Sequence, residues 1–121
     1  MLEIRRSSAW EHARRLVASV YGATQPWAAS PPEAVQALRR ASVAAAVSLL
    51  EAGAAATAPG ATAATTLAAL REVARQAHVC QRRGHLADGA VQDLLAERAA
   101  VEAALAAEPA NNAALTAEPA S

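Results

Sequence analysis

The chain has 121 residues, nearly a third of them alanine, and its 11 basic residues, all arginine, balance 11 acids. That length holds one domain with a single core, and a net charge of zero excludes a strongly basic binder of nucleic acid or membrane. There is no Phe, with two Trp and one Tyr, so the core must be built from Leu, Val and Ala. Alanine and leucine favour helix and β-branched residues are too sparse for a sheet, which predicts an all-α fold.

The opening "MLEIRRSSAWEHARR" lacks the apolar centre of a signal peptide, and a cytoplasmic protein is expected. The first predicted helix runs from about Ser8 to Tyr21 on a stripe of Trp10, Ala13, Val17 and Val20, with Gly22 as its stop. "ATQPWAASPP" is the first joint; Ser30, Pro31 and Glu33 then read as a cap, a first-turn proline and a capping-box acid. The second helix continues to about Ala52, and "GAAATAPGAT" (Gly53 to Thr62) is the second joint.

The third helix carries Leu67, Leu70, Val73, Ala74, Ala77 and Cys80 on one face and closes at Gly84. Asp88 can cap a fourth helix with the stripe Val91, Leu94, Leu95, Val101 and Leu105. Short joints between helices of similar length predict an up-down four-helix bundle over residues 1–107. The Ala/Pro/Glu-rich segment 108–121, with its echoing "ALAAEPA" and "ALTAEPA", reads as a disordered tail.

The second helix carries more apolar surface than one bundle core can use. At 100° per residue, Val35, Leu38, Ser42, Ala45 and Leu49 share one face, while Val43, Val47 and Leu50 lie nearly opposite. That second stripe predicts an oligomer interface, with scattered surface apolar residues as the alternative. The run from Ala41 to Ala58 approaches the length of a membrane span, but Glu51, Ser42, Ser48 and Thr57 within it argue against one.

Three stretches, in order, give the chain a family likeness. "AWEHARRLVASVYGAT" supplies Trp10, Ala13, Leu16, Tyr21 and Thr24; "VQALRRASVAAAVSLLEAG" supplies Leu38, Arg39, Arg40, Ala41, Val43 and Glu51; "LREVARQAHVCQRRGHL" supplies Leu70, Glu72, Gln76, Gly84 and Leu86. At these positions the chain resembles the bacterial four-helix bundle proteins associated with intervening sequences of large-subunit ribosomal RNA. The same fold includes the accessory variability determinant of diversity-generating retroelements. The chain departs from that pattern at Ala45, Ala46 and Ser48, where the family has Ile-Pro and Asn, and at Ala52, where it has Gly. The resemblance implies a homo-oligomer, typically a pentamer, without a catalytic centre. Some relatives bind nucleic acid or a reverse transcriptase.

Chemistry-bearing patterns are few. His12, His78 and His85 lack metal-ligand spacing, with His12 expected on the polar side of its helix, and no phosphate-cradling loop occurs, so no cofactor, metal or small-molecule substrate is expected. The serines lack a base and an orienting acid, and an enzyme is not expected. "RRAS" and "RRSS" look like kinase sites but are short enough to arise by chance. Cys80, the single cysteine, excludes an intrachain disulfide and continues a core face, so a buried inert thiol is expected.

Arg71, Arg75, His78 and Arg82 recur at helical spacing as a basic stripe about 16 Å long at 1.5 Å per residue. It could track phosphates, or pair with acids such as Asp93 and Glu97 or with a neighbouring subunit. No aromatic residue interleaves it, which disfavours base stacking. Arg98 falls within the apolar stripe of the fourth helix, and Glu102 is its expected partner. Two readings stand: a homo-oligomeric structural scaffold, or a nucleic-acid-binding accessory protein working with a reverse transcriptase or ribosomal RNA.

Overall fold

A computed structural model describes residues 8–54 and 59–107, with side chains for 8–50 and 63–107. The proposed tail, and the middle of the second joint at 55–58, lie outside the described residues. Four helices form: α1 (Ser8–Ala23), α2 (Glu33–Ala54), α3 (Pro59–Arg82) and α4 (Asp88–Ala107), with one 3-10 turn at Gln25–Trp27. No strand occurs among the described residues. Helix α1 packs on α2 and α4, and α3 packs on the same two, closing the ring of an all-α four-helix bundle.

The core is aliphatic, as the composition requires. Leu16, Leu38, Leu70, Leu94 and Leu105 are fully buried with Val20, Val35, Val73, Val91 and Val101. Each such side chain contributes about 1.5–3 kcal/mol relative to exposure. Ser42 and Ala45 complete the inner face of α2, with Leu49 half-buried at its edge. Cys80 is buried on the inner face of α3, as expected from its place after Leu70, Val73 and Ala77. Burial pushes its thiol pKa up, against the opposing pull of the Arg83 guanidinium.

The inner face of α1 differs from the expected stripe. Ala9, Ala13, Leu16 and Val20 are buried, whereas Trp10 and Val17 are half-buried along its flank. Bulk draws the eye to Trp10, but the large indole fits the edge of a narrow, alanine-rich core better than its centre. Gly22 does not stop α1: it stays in the helix with ordinary φ, and the helix runs on to Ala23.

Three other boundaries move for local reasons. Pro32, not Ser30, precedes the first turn of α2: its carbonyl accepts the Gln36 N–H at 3.0 Å, and the Gln36 amide turns back to Pro31 O at 2.9 Å. Ala87 plays that part for α4, accepting from Val91 N at 3.1 Å, so Asp88 is a first-turn residue rather than the cap. Residues 59–62, read as joint, form the opening of α3, because a proline in the first turn needs no N–H donor there. Gly84 does end α3, at φ +79°. Its N–H bonds Gln81 O at 3.0 Å and His85 N–H bonds Cys80 O at 2.8 Å, the paired closure of a Schellman motif.

Candidate association surface

The conspicuous polar cluster proves to be structural. Arg39 on α2 reaches the end of α1, donating from Nε to Thr24 Oγ1 at 2.9 Å and from Nη2 to Thr24 O at 3.1 Å. The buried Thr24 hydroxyl in turn donates to Val20 O at 2.8 Å. The Arg39 guanidinium carbon stands 4.6 Å from the centre of the Tyr21 ring. A fixed positive charge therefore meets the negative end of the α1 dipole, with its donors aimed at a hydroxyl and carbonyl that end the helix. Three residues of the family likeness, Tyr21, Thr24 and Arg39, are thus used to fasten α1 to α2. At the same end of the bundle Trp27 Nε1 donates to His85 O at 3.2 Å, the rings meeting edge-on at 5.0 Å between centroids.

Other polar groups are also absorbed by packing. Ser42, the serine of "RRAS", is buried and donates to Arg39 O at 2.9 Å, out of reach of a kinase in the folded chain. Ser48 donates to Ala45 O at 2.9 Å and shares a 2.6 Å bond with Thr66, tying α2 to α3. Arg98 pairs with Glu102 at 2.6 Å as its register requires, while its Nε is enclosed without a partner among the described residues. His12, expected on the polar side of α1, is half-buried, with Nδ1 enclosed and without a partner among the described residues. Among the described residues no group of three metal-ligating side chains forms.

What remains is outer surface, and it divides in two. Among the described residues the exposed large apolar side chains are Tyr21 (41%), Val43 (36%), Val47 (41%) and Leu50 (49%). The three on α2 form the stripe expected from sequence, pointing away from the Leu38–Ala45 core face. Trp10 and Val17, displaced from the core, occupy the same flank of α1 as Tyr21 by helical register. Beside the stripe, between α2 and α3, runs an open groove of about 300 Å³ lined by Ala37, Arg40, Ala41, Ala44, Ala69 and Glu72. Its floor is alanine methyls, which extends the apolar surface toward α3.

The second surface is the basic stripe of α3. Arg71, Arg75, His78 and Arg82 are all exposed, as the register places them. Arg75 is bonded to Glu72 at 3.0 Å and His78 lies 3.4 Å from the Gln81 amide oxygen. Neither Asp93 nor Glu97 pairs with the stripe among the described residues, and Arg71 and Arg82 have no acid partner there. No described helix is long and apolar enough to cross a membrane. No family model, curated protein or solved structure matches the chain.

Proposed function

We propose that the chain is a non-enzymatic, self-associating four-helix bundle acting as a cytoplasmic structural or interaction scaffold. The observation behind this reading is the exposure of Val43, Val47 and Leu50 together on the outer face of α2, among the described residues. Contiguous apolar surface of this kind on a soluble chain marks a site of association. The family resemblance would make the assembly a ring of five. Val47→Glu tests the reading, since a charge placed amid apolar partner surface without a compensating group costs several kcal/mol. Light scattering should show smaller species while circular dichroism retains its helical signal. An assembly of unchanged mass would show that the stripe is not the interface.

That Arg71 and Arg82 are exposed, with no acid partner among the described residues, supports a second reading, an accessory protein that binds nucleic acid, such as ribosomal RNA or the template of a partner reverse transcriptase. Three arginines and a histidine on one copy bind weakly, and repetition in an oligomer adds avidity. Binding should be indifferent to sequence and fall steeply with salt, as counterion release demands. Replacing Arg71, Arg75 and Arg82 together by Gln should abolish it. RNA titration of the wild type at low ionic strength that shows no salt-dependent binding would leave the scaffold reading alone.

A further inference from the structure

We infer that the basic stripe of α3 is covered, in the assembly, by Asp93 and Glu97 on α4 of a neighbouring copy. The contact rests on the self-association reading and adds to it a charged surface on helices other than α2.

Opposite charges are sorted onto these two helices, although the chain as a whole is neutral. Helix α3 carries three arginines and one acid, Glu72, whereas α4 carries four acids and one arginine, Arg98. Glu72 is already held by Arg75 at 3.0 Å and by the Gln76 amide at 2.7 Å, and Arg98 by Glu102. Asp93 is exposed and Glu97 half-buried, on the flank of the Val91, Leu94 and Val101 face that lies away from Leu95. These two acids are four residues apart, about 6 Å along the axis. Arg71 and Arg75, both exposed, have the same spacing on α3.

Heights match as well as spacings. Ala63 of α3 packs in one cluster with Leu105 of α4, which sets the two antiparallel helices level at that point. Eight residues on from Ala63 stands Arg71, and eight back from Leu105 stands Glu97; twelve residues lead to Arg75 and Asp93. Each acid is therefore level with one arginine, about 12 Å and about 18 Å along the bundle at 1.5 Å per residue. Yet no ion pair joins these helices among the described residues, so within one chain the two charged pairs face different sides of the bundle.

A copy rotated about an axis along the bundle keeps its helices at unchanged height. Its Glu97 then comes level with Arg71 and its Asp93 with Arg75, with no slide along the axis. The contact joins two different faces, the heterologous kind from which rings are closed. Arg75 can keep its bond to Glu72 and still reach a second carboxylate, because a guanidinium has five donors in a fork. A polyanion would be indifferent to where the acids of α4 stand; a second copy of the chain is matched to them in sign, spacing and height.

Charge reversal tests the contact, read by sedimentation and light scattering of the full chain. R71E/R75E and D93R/E97R should each raise the dissociation constant of the assembly by more than about tenfold, because like charges then meet. The fourfold variant R71E/R75E/D93R/E97R should return it to within about threefold of wild type, since both pairs are restored in the opposite sense. A second measurement needs no charge reversal. Arg71→Cys and Glu97→Cys chains, oxidised with diamide, should link when mixed and little when kept separate, with Cys80 buried. A fourfold variant no better than either double, or linkage no greater in the mixture, would overturn the contact. It would also fall if R71E/R75E lost RNA binding while its mass stayed that of the wild-type assembly, which would give the stripe to a polyanion. If Val47→Glu dissociates the assembly while the charge variants leave it intact, the contact falls and the self-association reading stands. A wild type that remains a single chain at every concentration would end both.

Discussion

At the scale of single residues, the side chains that look chemical are mostly spent on backbone. Thr24 gives its hydroxyl proton to a carbonyl in the last turn of α1, Ser42 to one of its own helix, and Trp27 gives its indole proton to the α3–α4 loop. Gly84 is the one described residue whose backbone demands a special side chain. Its left-handed φ carries a penalty of about 1–2 kcal/mol for any residue with a Cβ, although no atom lies within 4 Å of where that Cβ would stand. Gly84→Ala should therefore lower unfolding free energy by about that amount in urea, from backbone strain alone, whereas Gly22→Ala, in an ordinary helical position with open space around it, should raise it by up to about 1 kcal/mol. Equal effects at the two positions would contradict the Schellman closure of α3.

At the scale of elements, the adjacent arginines of "LRR" separate into two roles that spacing alone does not distinguish. Arg39 is bound to the end of α1, whereas Arg40 is exposed and lines the alanine-floored groove, with no acid bonded to it among the described residues. Arg39→Gln should cost about 1.5–3 kcal/mol, the worth of hydrogen bonds made by a charged group, and shift thermal melting accordingly. Arg40→Gln, measured on dissociated chains, should stay within about 0.5 kcal/mol. The bundle itself was legible in the sequence because Leu and Val recur at helical period on α2, α3 and α4, and few other arrangements bury such stripes. The inner face of α1 was legible at Ala13 and Val20 but not at Ala9, which contributes to burial through position rather than bulk. The start of α3 was hidden by Pro59-Gly60, a pair that reads as a turn until the proline is seen to occupy the first helical turn. The role of Arg39 was hidden as well: its partner lies 15 residues back, across a joint whose path no local pattern specifies. The Val43, Val47 and Leu50 stripe was readable because it stands nearly opposite the core face of its helix.

At the scale of the whole molecule, a chain with an aliphatic core this thin gains from any surface it covers. If the α2 face is buried between copies, unfolding is linked to dissociation, and the melting temperature should climb by about 3–5 °C for each tenfold rise in concentration. Calorimetry over a hundredfold range would register this, and an invariant midpoint would indicate a chain that melts alone. A different consequence comes from the far end of the bundle, where Ala9 at the start of α1 packs in one cluster with Leu105 at the close of α4 and Ala63 near the start of α3. The start of α1, the close of α4 and the opening of α3 thus meet at one end of the bundle. A circularly permuted chain that links the close of α4 to the start of α1, and begins with α3 and ends with α2, would keep every helix beside the same neighbours. The order in which the helices are strung is, for this bundle, separable from the way they pack.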